Sequence, residues 1–359
     1  MKQVVRHVNC GIRICNIIVG GGNNILNRRL AVPLHRAALL GEPVLVQGPR
    51  GAGKTALLRR EFPGHTYVPL DEAADRMRAR SDPRSFLAKL RGPAVIDDLQ
   101  RAPELLPHLS APRPLILASS RRLQLPVTTF ELYPPTNAER EGRSPVSLDM
   151  LGRFAPATRR ATGPFNTSHV PNRSWIDRDV RDMIQVRDLD RFELFLRTAE
   201  SASGAVLDMQ AIGKQCGVSH RTVTRWFEVL SACFKILRLP ASSLDFGRRL
   251  FRGPKLHFFD SDCFESRAVL EIYSNTRHAG EDPNLSYWRD SNGFEIQLIV
   301  EANGMPPMPI SIATNPNPLD MARLHRWMAL ARVEQGAIIT HRTGQLPRKG
   351  IASYSIAQL

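Results

Sequence analysis

At residues 48–55 the chain reads Gly-Pro-Arg-Gly-Ala-Gly-Lys-Thr, and few sequence features restrict a fold so tightly. The stretch follows Pro43–Gln47, a short β-branched run that predicts a buried strand, and precedes Thr55–Glu61, a helical pattern. Strand, G-x-x-x-x-G-K-[ST] and helix, in that order, form a P-loop arrangement. Glycines let the backbone curl until several N–H groups face one anion. The helix N-terminus adds its partial positive charge. Gly48, Pro49, Arg50, Gly51, Ala52, Gly53, Lys54 and Thr55 are therefore the expected nucleotide-binding residues. Lys54 reaches the β- and γ-phosphates, and Thr55 offers its hydroxyl to Mg²⁺.

Further strands are predicted at Thr66–Leu70, Ala94–Ile96, Leu115–Ala118 and Thr128–Tyr133. Helical patterns lie at Leu34–Leu40, Pro83–Leu90 and Pro103–Leu109. Alternation of this kind predicts an α/β unit with a parallel sheet covered on both faces. The run Ala94-Val-Ile-Asp97-Asp98 ends an apolar strand in acids, about forty residues after the loop. Asp97 is the expected Mg²⁺-side carboxylate. Asp98 stands where many such proteins place Glu to orient the attacking water, and it is one methylene shorter. The plain alternative for Asp98 is a capping or surface acid. Leu115-Ile-Leu-Ala-Ser119-Ser120 puts a polar residue at the end of a further strand. Ser120 is the expected partner of Asp98 in hydrolysis, while Ser119 also fits a simple turn.

The chain has 359 residues, 42% of them hydrophobic and 23% charged, enough for two or three domains with their own cores. Its five cysteines, Cys10, Cys15, Cys216, Cys233 and Cys263, include no C-x-x-C pair. They read as reduced thiols of a cytoplasmic protein, neither a disulfide frame nor a zinc site. The net charge of +15 suits a polyanionic partner and equally suits simple solubility. No stretch approaches the roughly 18 apolar residues of a membrane span, so no membrane partner is expected. Residues 1–29 hold Lys2, Arg6, Arg13, Arg28 and Arg29 without an acid and read as a basic extension. The expected divisions are 30–150 for the nucleotide unit, 151–176 for a Pro/Ser/Thr/Arg-rich linker or lid within the loose stretch 134–175, 177–255 for a helical unit, and 256–359 for a C-terminal α/β unit.

These elements together resemble the prokaryotic AAA-type ATPases that join a P-loop domain to a winged helix and a C-terminal domain of unknown function. The stretches that carry the resemblance are Val46–Arg60, Val95–Leu106, Asp177–Asp182, Pro254–Asp260, Tyr287–Arg289 and Glu295–Gln297, within about Leu30 to Leu330. The resemblance implies ATP and Mg²⁺. It also implies an ASCE-type sheet in which the strand ending at Ser119 separates the Asp97 strand from the loop strand. The chain departs from the family at Asp98, where Glu is usual, and at Ala118-Ser119-Ser120, where Thr-Gly-Ser is usual. These departures bear on turnover more than on binding. Arg121, Arg122, Arg153 and Arg178 are the arginine-finger candidates. A second copy of the chain or another protein is a further class of partner.

Met209 to Leu230 reads as two helices around a tight turn, with Gly213 at the crossing, Gly217 in the turn, Ser219 as a cap, and Val223 and Trp226 inward. Arg221, Thr222, Thr224 and Arg225 would then line a DNA-facing recognition helix. Between Ala211 and Phe259 nine Lys or Arg face two acids, Glu228 and Asp245, which suits that reading. A packing or protein-partner surface is the alternative. For the C-terminal unit the resemblance implies a restriction-endonuclease-like fold. Glu265 is retained there, but Gln297, Ser311 and Ala313 stand where Asp, Glu and Lys are expected. An amide and a hydroxyl do not replace carboxylates for Mg²⁺, so no cleavage is expected. Two functions follow: an ATP-driven switch, or a nucleotide-gated DNA- or protein-binding module with little turnover.

Overall fold

The computed structural model describes residues 26–109, 114–144, 189–302, 304–341 and 350–359. The basic residues 2–13, Cys10, Cys15, the 151–176 linker, Asp177–Asp182, Arg153 and Arg178 lie outside the described residues.

The loop strand is β1 (Val44–Gln47), buried at every position. It lies within a five-stranded sheet with β2 (Thr66–Pro69), β3 (Ala94–Asp97), β4 (Leu115–Ser119) and β5 (Thr128–Glu131), in the order β2-β3-β4-β1-β5. All four pairings are parallel. The strand ending at Ser119 thus separates the Asp97 strand from the loop strand, as the resemblance implied. Strands covered on both faces need apolar residues on both, which is why β1, β3 and β4 read as unbroken apolar runs.

Helices α1 (Ala31–Ala38) and α2 (Lys54–Glu61) cover one face, burying Leu34, Leu57 and Leu58 against Val44, Val46 and Ile116. Helices α3 (Ala73–Ser81) and α4 (Pro83–Lys89) cover the other, with Ala79 and Leu87 against Leu45, Ile96 and Leu117. The arginine-rich α3 was not predicted, because Ala79 alone of its residues is buried and no apolar period marks it. Pro103–His108, predicted as helix, forms 3₁₀ turns, since Pro107 inside it has no N–H to give an α-helical bond.

Two stretches read as loose are built in. Residues 26–29 belong to the folded unit, and Arg28 is buried. Residues 134–144 contain the helix α5 (Asn137–Arg140), closed by a capping box between Thr136 and Glu139, whose side chain is fully buried.

The next unit holds α6 (Leu189–Ser201), α7 (Met209–Cys216), α8 (His220–Ala232) and an antiparallel pair, β6 (Ile236–Leu239) with β7 (Lys255–Phe258). Gly217, at φ 65°, ends α7, and Ser219 caps α8 by accepting from the Thr222 N–H. Gly213 is needed at the crossing, since a Cβ there would stand 3.0 Å from the Val218 carbonyl. Val223 and Trp226 face inward against Phe192 and Phe195.

The last unit begins with α9 (Phe264–His278). It continues through β8 (Leu285–Arg289), β9 (Glu295–Val300), β10 (Met308–Ile312), α10 (Pro318–Ala331), β11 (Gly336–Thr340) and β12 (Ile351–Ser355). The sheet order is β12-β11-β10-β9-β8, antiparallel at β8/β9 and β9/β10 and parallel beyond. The expected boundary at 255/256 falls inside β7.

The units share a core. Tyr133, just beyond β5, stacks on Phe259 and meets Tyr273 of α9 edge-on. No helix among the described residues is long and apolar enough to cross a membrane.

Candidate functional site

The loop 48–53 leaves the end of β1 between its two neighbours. The Gly48 N–H donates to the Ser119 carbonyl at the end of β4, and the Leu132 N–H donates to the Gln47 carbonyl. Gly48 has no room for a side chain, because a Cβ would lie 1.9 Å from the Leu132 oxygen. Gly53, at φ 91°, turns the chain into α2 from the left-handed region that glycine tolerates. The ammonium of Lys54 folds over the loop and donates to the carbonyls of Gly48 at 2.8 Å and Pro49 at 2.9 Å.

Thr55, exposed in the first turn of α2, donates its hydroxyl to Asp97 Oδ2 at 2.6 Å, across the intervening β4. The same oxygen accepts a short hydrogen bond from the Tyr67 hydroxyl on β2, and Asp97 Oδ1 accepts the Asp98 N–H at 2.9 Å. Burial first, and then the Asp97 carboxylate, push the Tyr67 phenol up to about 12, so it remains a donor. Arg59 lies 4.0 Å over its ring.

Asp98 follows with φ 59°, a left-handed conformation uncommon outside glycine. Its Oδ1 accepts from Gln100 Nε2 at 2.8 Å and lies 3.5 Å from the Ser120 hydroxyl, and Arg101 Nε is 3.5 Å from its Oδ2. It is a held acid, neither a helix cap nor a loose surface group. Ser119 is the turn residue: its hydroxyl donates to the Arg121 carbonyl and accepts the Arg121 N–H. The loop, Thr55, Asp97, Asp98 and Ser120 therefore converge at the ends of β1, β3 and β4.

Arg122 is not placed as a finger. Its guanidinium donates to the Glu131 carboxylate, the Tyr133 hydroxyl and the Ser231 carbonyl, and it lies 4.5 Å over the Phe234 ring. It joins the first sheet to α8 from the interior.

A buried polar joint reaches the loop from behind. Arg28 Nη1 donates to the Ala52 carbonyl at 2.5 Å, Nη2 to the Tyr133 carbonyl at 2.6 Å, and Nε to Glu139 at 3.2 Å. His278, at the end of α9, accepts the Tyr133 N–H on Nε2, which leaves Nδ1 as the protonated nitrogen, 3.1 Å from Glu139. Burial lowers the His278 pKa and keeps the ring neutral. Burial pushes the Glu139 carboxyl up, but His278, Arg28 and the Arg29 N–H outweigh it and bring the pKa down to about 2. Arg28, Tyr67, Gln100, Glu139 and His278 were missed in the sequence. Each sits outside the motif, and its partners are far along the chain or on a different strand.

On α8, Arg221 and Arg225 are exposed as expected. The two threonines are not on offer. Thr222 pairs its hydroxyl with the Ser219 cap, and Thr224 donates back to the His220 carbonyl.

In the last sheet Glu265, at the start of α9, does not stand alone. Lys255 of β7, almost wholly buried, donates to Glu265 at 2.6 Å and to Glu295 at 2.5 Å. Burial raises the Glu265 carboxyl to about 7 against the pull of Lys255. Gln297 is spent on the Ile312 N–H, at 3.3 Å. Among the described residues no cluster of three or more His, Cys, Asp or Glu has the arrangement of a metal site.

A family model described as a domain of unknown function (DUF8612) matches residues 172–263. The chain is also similar to the uncharacterized protein Rv2008c of Mycobacterium tuberculosis and the uncharacterized protein Mb2031c of Mycobacterium bovis. Each is 26% identical, over 77% of this chain and 71% of the relative.

Proposed function

We propose that this chain is a P-loop ATPase of the ASCE type, which binds ATP with Mg²⁺ at Gly48–Thr55 and hydrolyses it to switch the arrangement of its attached units. The observation that carries this reading is the contact of the Thr55 hydroxyl with the Asp97 carboxylate, beside a glycine loop that Lys54 closes. On binding, Lys54 exchanges two loop carbonyls for phosphate oxygens, and the loop N–H groups take the remainder. Thr55 and Asp97 are the residues that would hold Mg²⁺. Two hard oxygens suit an ion that keeps most of its shell as water and phosphate. When bound, the ion offsets charge on the β- and γ-phosphates. Asp98 accepts a hydrogen bond from the attacking water, whose oxygen bonds to the γ-phosphorus as the bond to the bridging oxygen breaks. Ser120 stands beside it.

In the same reading α6–α8 with β6–β7 form a winged helix, and Arg221 and Arg225 are its DNA-facing cations. The last unit is restriction-endonuclease-like and does not cut, since Lys255 neutralises its two glutamates from within. Metal-dependent cleavage lost in Glu265→Ala would overturn that part.

A second reading, a nucleotide-gated binding module with negligible turnover, is favoured by the aspartate at 98, about 1.5 Å short of a glutamate. Calorimetric titration with Mg²⁺-ATP, beside phosphate release and Lys54→Ala, separates the readings. Binding lost in the variant with release in the parent supports the ATPase. Binding without release supports the gated module, and no binding in the parent overturns both.

A further inference from the structure

Gln100 lies in the 3₁₀ turn Leu99–Arg101, just past β3, and uses both ends of its amide. Nε2 donates to Asp98 Oδ1 at 2.8 Å, and Oε1 accepts the Ser120 N–H at 3.0 Å. The partners settle the amide's orientation. A backbone N–H only donates and a carboxylate only accepts, so each end fits one way round. One side chain thereby ties the end of β3 to the end of β4, the neighbouring strand of the sheet.

Asp98 is fixed from both sides. Its N–H is taken by Asp97 Oδ1, its backbone sits at φ 59°, and its Oδ1 is taken by Gln100. Its side chain keeps 22% of its surface exposed, so the carboxylate still meets solvent at the sheet end where the loop and Thr55 lie. A flexible acid would sample several positions. A short acid has little reach with which to correct a wrong one. In a reaction governed by placement, an offset of about 1 Å costs up to 10²-fold.

We propose that Gln100 is the positioning residue for Asp98: its amide holds one carboxylate oxygen against the end of β4 so that the other is presented to the reacting water. This rests on the ATPase reading above. Gln100 is not a catalytic residue, because it touches Asp98 and the Ser120 backbone.

The test is a double-mutant cycle on the full chain, with phosphate release giving kcat and KM and calorimetry giving Mg²⁺-ATP affinity. Gln100→Met keeps the side-chain length and removes both hydrogen bonds. Gln100→Glu keeps the acceptor for Ser120 and sets a second carboxylate against Asp98. Both are expected to lower kcat about 10-fold, with KM and affinity within about twofold of the parent. In an Asp98→Asn background either change is expected to cost less than about twofold. If Gln100→Met fails to fold, the cycle runs on Gln100→Glu alone.

Equal losses with and without the Asp98 carboxylate would overturn the proposal. So would a raised KM at unchanged kcat, which would assign Gln100 to binding. A parent that binds Mg²⁺-ATP without releasing phosphate would overturn it and leave nucleotide binding standing. A parent that does not bind would remove both.

Discussion

In the first sheet the carboxylates of Asp97 and Asp98 meet hydroxyls, a side-chain amide and a backbone N–H, whereas in the last sheet Glu265 and Glu295 meet the ammonium of Lys255. Neutral donors orient a carboxylate and leave its charge uncancelled, ready for a cation. An internal lysine cancels that charge and leaves nothing for a metal to do. Two α/β units of one chain thus bury acids at strand or helix ends for opposite ends. The difference lies in the partner, not in the acid.

The largest effect that would break this contrast is expected at Lys255. Lys255→Met leaves two buried glutamates without a counter-charge and should cost about 3–5 kcal/mol of stability in denaturant unfolding. If Mn²⁺ restores that loss in the variant, the last sheet retains a latent metal site and the contrast rests on one lysine.

The joint between the sheets answers to pH. Glu139 is held at about 2, below its ordinary 4.5, so the folded chain binds fewer protons than the unfolded chain between those values. Its contribution is complete above about pH 4.5 and is lost as pH falls toward 2, about 3 kcal/mol in all. Glu265, raised to about 7, has the opposite sign: stability falls as pH rises from 4.5 toward 7. Unfolding midpoints across pH should lose the acid slope in Glu139→Gln and the neutral slope in Glu265→Gln.

Asp98→Asn keeps the shape and removes the charge. Turnover should fall about 10²-fold with Mg²⁺-ATP affinity held, read by phosphate release and calorimetry. Unchanged turnover would place the acid elsewhere and make both sheets alike in lacking a working carboxylate. The smallest effect is expected from Tyr67→Phe. It removes one of the donors on Asp97 and should cost about 1 kcal/mol of stability, with a few-fold change in Mg²⁺ dependence.

Much of the first sheet was legible. Its strands are apolar runs closed by turn residues, and the glycine loop names its own context, so β1, the loop and α2 follow from adjacent residues. Asp97 and Asp98 were found because they end such a run. Where periodicity is silent, reading failed: α3 has one buried residue, Pro103–His108 is tightened by Pro107, and residues 134–144 look polar although Glu139 is fully buried. Arg122 could not be told from a free arginine, since Glu131, Ser231 and Phe234 reach it only in the fold. Thr222 and Thr224 fell on the expected helix, but capping and back-bonding occupy their hydroxyls.

What neighbours along the chain can specify was written in the residues themselves: a strand, a phosphate-shaped loop, a helix, and acids at a strand end. These depend on local backbone freedom and on hydrophobic period. Which acid is oriented, which is cancelled and which arginine is spent was settled by contacts 20 to 250 residues apart, from Gln100 to Ser120 and from Arg28 to His278. The electrostatics of a buried group depends on what lies within a few ångströms of it, and that distance exists only once the chain has folded.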